Sequence, residues 1–173
     1  MTFEDTGWSG SRKRCRSAMI TVLRLGHRPS RDKRVTTHVG LVARTFGASG
    51  MVITTRDDEL AARIAGVNGR FGGSFTVKYE RNWKKFISSF EGIVVHLTMY
   101  GERLPDVAGR IDRDRDMLIV VGAEKVPKEV YSMAHYNVSV GNQPHSEIAA
   151  LAIFLDRITG AAWERAEGGP SGI

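Results

Sequence analysis

The chain has 173 residues, 42% hydrophobic and 25% charged, which fits one globular domain able to bury roughly 70% of the surface its unfolded form exposes. Its single cysteine, Cys15, can close no internal disulfide, and no Cys/His pairs stand at finger spacing, so a cross-linked secreted scaffold and a structural zinc are disfavoured. No apolar run approaches the roughly 18 residues of a membrane span, and the stretch before Arg12 lacks a signal-peptide core; the expected setting is the cytoplasm, without a membrane partner.

In chain order, residues 1–17 are polar and basic with no periodicity and are expected to form a flexible tail ahead of a single domain over residues 18–160. Met19–Leu25 reads as a strand, Lys33–Phe46 as a helix, Gly50–Thr55 as a strand and Asp57–Asn68 as a helix that Asp57 or Asp58 can cap. Next come strand Ser74–Tyr79, helix Arg81–Phe90, strand Ile93–Met99, helix Pro105–Ile111 and strand Met117–Val121. Helix Pro127–Ala134 opens on a proline where a first turn tolerates one. Strand Tyr136–Val140 then leads into helix His145–Ile158, and residues 161–173 read as a short flexible tail. Several strands are near-continuous runs of Val, Ile and Leu, as in strands buried on both faces. The expected fold is therefore α/β, a mostly parallel sheet with helices on both faces. Glu102–Asp116 alternates charges and reads as a solvent-facing connection.

The charge is unevenly placed. Residues 1–34 hold nine Lys/Arg against three Asp/Glu, the whole of the net +6, and the remainder is balanced. Arg12, Lys13, Arg14 and Arg16 form one cluster; Arg24, Arg28, Arg31, Lys33 and Arg34 form another. Such clusters suit a phosphate-rich partner, although basic runs also simply solvate a surface.

Ligands of open α/β sheets bind beyond the carboxyl ends of the strands. Three such ends stand out: Leu97–Gly101, Val121–Pro127 and Val140–Glu147, the last two leading straight into a helix. Neither GxGxxG between a strand and a helix nor GxxxxGK[ST] occurs, which removes the dinucleotide fingerprint and the P-loop. His27, His38, His96 and His135 match no metal spacing, and no metal is assigned.

Val121–Pro127 (VGAEKVP), Asn137–Arg157 (NVSVGNQPHSEIAALAIFLDR) and Leu23–Gly47 (LRLGHRPSRDKRVTTHVGLVARTFG) together resemble the archaeal tRNA cytidine-56 ribose 2′-O-methyltransferases of the SPOUT class. The resemblance covers nearly all of residues 18–160. It implies a C-terminal trefoil knot, a homodimer with the active site near the subunit interface, tRNA as substrate and S-adenosylmethionine as cofactor. Carried over by position, the cofactor cleft would be lined by Leu97, by Gly122, Ala123, Glu124, Lys125 and Val126, and by Val140, Gly141, Asn142, Gln143, Pro144, His145, Ser146 and Glu147. Arg44 falls where related ribose methyltransferases carry their catalytic arginine. A guanidinium has no acceptor, so its role there would be to stabilise the developing oxyanion; a helix-end cap is the bland alternative. Arg28, Arg31, Lys33 and Arg34, around the loop after the first strand, would grip tRNA phosphates.

Other residues keep two readings. Glu124 can favour a sulfonium or simply the helix macrodipole, and Lys125 can contact cofactor through its backbone or be solvated. The wider ribose-methyltransferase pattern has Ser-Leu-Asn before the last helix where this chain has Gln143-Pro144-His145-Ser146. His145 is accordingly either a general base or, more simply, a helix cap. Trp83 and Phe86 read as core or interface anchors. The rival functions are base methylation of another RNA by the same fold and RNA binding without catalysis.

Overall fold

Alternation along each strand decides which helices cover which face. The computed structural model describes residues 17–123 and 125–165. Its elements are β1 (Ile20–Leu25), α1 (Lys33–Thr45), β2 (Gly50–Ile53), α2 (Asp58–Phe71), β3 (Thr76–Tyr79), α3 (Trp83–Ser88), β4 (Ile93–Arg103), α4 (Leu104–Val107), β5 (Met117–Gly122), α5 (Lys128–Met133), β6 (Tyr136–Ser139) and α6 (Glu147–Thr159). On β5, Met117, Ile119 and Val121 join a large core with α1, α2, α4 and α6, while Leu118 and Val120 join a smaller one with α3 and α5. The six strands form one all-parallel sheet in the order β3-β2-β1-β5-β4-β6. Parallel strands covered on both faces need apolar residues at successive positions, and the Val/Ile/Leu runs supply them.

Three helix starts carry a side-chain cap. The Asp57 carboxylate accepts the Leu60 amide at 2.9 Å and opens α2. The Asn82 side chain accepts the Lys85 amide at 3.0 Å and opens α3 two residues later than the sequence pattern predicts. At α6 the cap is Ser146, whose hydroxyl accepts the Ile148 amide at 3.2 Å, so the capping role expected of His145 belongs to its neighbour. Beyond α6 the chain turns at Gly160 into a 3₁₀ turn, Ala162–Arg165, where Trp163 donates to Asp156 at 2.7 Å and its ring lies 6.3 Å from that of Phe46. The basic tail expected over residues 1–17 lies, apart from Ser17, outside the described residues.

Glu102–Asp116, expected as a solvent-facing connection, is exposed along most of its length but also extends the sheet and enters the core. Val138 of β6 pairs with Leu97 and again with Glu102, and Ser139 pairs with Arg103. A strand residue has one neighbour on each side, so the chain passes from one side of β6 to the other between residues 97 and 102. Leu104, Val107, Ala108 and Ile111 then turn into the large core, while Glu102, Arg103, Asp106, Arg110 and Asp112–Arg115 between and beyond them stay exposed. The crossing demands a residue without a side chain: a Cβ on Gly101 would stand 2.5 Å from the Asn137 carbonyl carbon and the Val138 nitrogen, both backbone atoms. Gly101→Ala is expected to cost at least about 3 kcal/mol, a loss of roughly 6–12 °C in melting temperature for a domain of this size. Gly66→Ala, inside α2 with nothing within 4 Å of the new carbon, should be neutral or raise stability by up to about 1 kcal/mol. Equal melting temperatures for the two variants would contradict the close approach.

Candidate active site

Because β5, β4 and β6 are adjacent and parallel, the turns after them share one rim of the sheet. A buried arginine sets the spacing of two of these turns. Arg24, 1% exposed at the end of β1, donates to the Gly122 carbonyl at 2.7 Å and to the Glu147 carboxylate at 2.9 Å. The pair holds the turn after β5 against the first residue of α6, and the inward position of Arg24 follows from the alternation that sends Val22 to the same core. The expectation that Arg24 belongs to a phosphate-facing cluster is thus corrected. It is an internal tie, with its Nε unpartnered. Glu147 is also engaged, its carboxylate turned to Arg24.

A second network lies under the rim. His96, fully buried in β4, meets the Asn137 side-chain oxygen at 2.9 Å, while the Asn137 amide donates to the Tyr131 carbonyl at 2.9 Å. That orientation makes His96 Nδ1 the donor and leaves Nε2 without a partner. Burial pushes the His96 pKa down, and the Asn137 bond only partly offsets it. Tyr131 stands edge-on to His96 at 4.7 Å and its hydroxyl meets Thr98 Oγ1 at 2.9 Å, which joins α5 to the crossing segment.

Of the residues expected to hold a cofactor, Gly122, Ala123, Lys125, Val126 and Val140 to Glu147 stand on the two tied turns; Glu124 lies outside the described residues. Leu97 is 8% exposed and packs into the large core, so it supports the rim from below. Asn142, Gln143, Pro144, His145 and Ser146 are exposed, and the His145 ring folds back to the Ser146 carbonyl at 3.0 Å. A Cβ on Gly141 would meet only that ring, at 3.5 Å. This donor set, backbone amides and carbonyls with neutral polar side chains around an apolar floor, fits a nucleoside-bearing cofactor.

Arg44 stands elsewhere. It lies at the far end of α1, where its Nε donates to Asn68 Oδ1 at 3.0 Å and its Nη2 to the Gly72 carbonyl. Eleven residues of helix separate it from Lys33 beside the rim, roughly 17 Å along the axis. Within one chain, therefore, Arg44 and the two tied turns are not brought together. Among the residues expected to grip phosphates, Arg28 is paired with Asp32 at 2.9 Å and Lys33 with Glu59, while Arg31 and Arg34 are exposed. The Arg28 hydrogen bond holds the Asp32 carboxyl below its usual range against the cost of burial.

The sequence reading missed a cleft of about 980 Å3 on the other side of the β5 turn, at the ends of β1 and β2. Its lining includes Arg28, Thr54, Thr55, Arg81, Trp83 and the residues Gly122, Ala123, Lys125, Val126 and Pro127. Three buried groups fix its floor: His27 Nδ1 meets Thr36 Oγ1 at 2.8 Å and its Nε2 meets Asp57 Oδ2 at 3.0 Å. Burial alone would raise the Asp57 carboxyl, but the Leu60 amide and the His27 ring more than offset it and hold it low. Trp83, expected to be an anchor, does pack on the smaller core, and it also walls the cleft.

Comparison with known proteins agrees with this architecture. The profile of a family described as tRNA ribose 2′-O-methyltransferase, aTrm56, matches residues 71–167. A Pyrococcus abyssi protein named tRNA (cytidine(56)-2′-O)-methyltransferase is 54% identical over 146 residues, covering 81% of this chain and 74% of that one. A protein of the same name from Thermococcus kodakarensis is 54% identical over 156 residues, covering 86% and 87%. Among solved structures, the SpoU methyltransferase AviRb from Streptomyces viridochromogenes, in complex with AdoMet, superposes with a TM-score of 0.58 at 14% identity, over 89% of this chain and 60% of that one. That likeness establishes the SPOUT-type fold. With the family profile spanning β4, β5, β6 and their turns, and with relatives this similar along most of the chain, the protein belongs to the tRNA ribose 2′-O-methyltransferase family aTrm56.

Proposed function

We propose that this chain transfers a methyl group from S-adenosylmethionine to the ribose 2′-hydroxyl of cytidine 56 in tRNA, acting in the cytoplasm as a homodimer of a knotted domain. The observation that carries the reading is the tying of the turn after β5 to the start of α6 at one rim, both within the stretch that the family profile matches. The passage of the chain across β6 supports the knot, because a knotted chain needs such a crossing. Bound at the rim, the cofactor would supply a methyl on a positively charged sulfur, open to attack by an oxygen.

The residues of this chain would then position the partners and favour charge on the attacking oxygen. The neutral, exposed polar groups Asn142, Gln143 and Ser146 orient the ribose and cofactor without competing for the sulfonium charge. Arg44 stabilises the oxyanion, and its distance from the rim within one chain makes a second copy the source of that guanidinium. Val35 on α1 is 37% exposed and Ile153 on α6 is 50% exposed, apolar groups on two helices that pack side by side and suit burial against a second copy. Arg31 and Arg34 hold RNA phosphates, with Arg28 and Lys33 contributing once their carboxylate partners yield.

Incubating the protein with methyl-labelled cofactor and an unmodified tRNA transcript tests the reading. Label recovered in one alkali-resistant dinucleotide containing position 56 is the expected result. Label on a base would point to base methylation, and no cofactor binding would point to an RNA-binding protein.

A further inference from the structure

The cleft beside β1 and β2 has a composition that the cofactor does not account for. The turn after β5 is its shared wall: the cofactor turns after β4 and β6 lie on one side, and the cleft on the other. Its described lining carries three cations, Arg28, Arg81 and Lys125, and no carboxylate. Arg28 is held by Asp32, whereas Arg81 and Lys125 have no ion-pair partner among the described residues. Trp83 lines the same cleft; its indole packs on the smaller core, and Lys84 Nζ, tied to Glu129 at 2.7 Å, lies 5.5 Å from its ring centre. Two hydroxyls, Thr54 and Thr55, and the His27 ring also face the cleft. Cations without counterions, one half-buried aromatic face and hydroxyl donors are what single-stranded RNA needs, since phosphates pair with the first and bases stack on the second. An apolar peptide segment would leave Arg81 and Lys125 unpaired on burial.

We propose that this cleft holds a nucleotide of the tRNA strand next to the one methylated, with its base against Trp83 and its phosphate on Arg81 and Lys125. The proposal deepens the tRNA methyltransferase reading and rests on it. It gives the turn after β5 two faces, one for the cofactor and one for the strand, so that both partners are placed by the element that Arg24 fixes.

Arg81→Ala and Trp83→Leu test it, with Trp83→Phe as the conservative variant. Against an unmodified tRNA transcript, Arg81→Ala should raise Kd roughly fivefold and lower the slope of log K against log salt by about one. Trp83→Leu should raise Kd roughly tenfold, and Trp83→Phe should recover most of that loss. Affinity for S-adenosylmethionine should stay at the wild-type value for Arg81→Ala and for Trp83→Phe, and the melting temperature of Arg81→Ala should be unchanged. If wild-type protein methylates the transcript while Arg81→Ala binds it with unchanged Kd and slope, the cleft does not hold RNA. A parallel fall in cofactor affinity would make Arg81 structural and overturn the proposal equally. Should wild-type protein neither bind nor methylate the transcript, the functional reading fails first and takes this one with it.

Discussion

Arg44→Ala is expected to lower methyl transfer by at least about a hundredfold, the range seen when one preorganised donor is removed from a developing oxyanion, while S-adenosylmethionine affinity stays near the wild-type value. Arg44 makes its contacts within the chain to Asn68 and the Gly72 carbonyl, far from the turns after β5 and β6. Those contacts are partly exposed, so their loss should cost no more than about 1 kcal/mol. A large kinetic effect with a small melting shift therefore separates catalysis from support of the α1 and α2 ends. The proposed two-copy arrangement makes the result more demanding. Mixing Arg44→Ala protein with Gly141→Val, whose side chain would occupy space at the rim that the proposed cofactor takes, should restore part of the activity, because a mixed dimer keeps one intact rim opposite one intact Arg44. Near-normal turnover by Arg44→Ala alone would remove this residue from the mechanism.

Arg24→Met should act in the opposite way, through stability and cofactor binding together. The substitution keeps the volume of the buried chain but leaves the Gly122 carbonyl without its donor and Glu147, 28% exposed, without its cation. Breaking a buried ion pair at one end costs about 3–5 kcal/mol. Glu147 can rehydrate in part, so about 2–4 kcal/mol is the expected loss, or roughly 4–16 °C in melting temperature. The turn after β5 would then be free to drift from the start of α6, and cofactor affinity should fall at least about tenfold if both turns hold the cofactor as proposed. Unfolding measured by denaturant and binding measured by calorimetry give the two numbers separately. A stable variant with full cofactor affinity would show that Arg24 does not set the site.

Much of this architecture is legible in the sequence because its signals are local. Apolar runs such as Met117 to Val121 mark strands buried on both faces, and the Asp57 cap marks the start of α2. Their observed bounds differ by a few residues from the expected ones. The crossing of β6 is not legible in that way. Glu102 and Arg103 look like exposed charges, and only the pairing of Val138 on both sides shows that they extend the sheet. Gly101 carries the local clue, a glycine in a strand where another backbone comes close.

A family-like motif marks the turns after β5 and β6, which the structure ties together, but a side chain's surroundings are obscure in the sequence. Arg24 sits in a basic cluster by sequence, yet its place in the run Ile20–Leu25, on the face shared with Val22, sends it inward. A charged residue at an inward strand position was the available signal. Arg81 and Trp83 gave no such signal, because the cleft forms only when the ends of β1, β2 and β5 come together with α3. Likewise, the spacing that singles out Arg44 says nothing about its distance from the rim, which depends on the direction of α1.

The most direct test replaces one oxygen. A tRNA carrying a single 2′-deoxycytidine at position 56 keeps the base, the fold and the phosphates and lacks only the proposed acceptor. Offered with labelled S-adenosylmethionine beside the all-ribose transcript, it should bind comparably and accept no methyl group. Undiminished label in the deoxy-substituted tRNA would place the methyl on another atom and contradict the account.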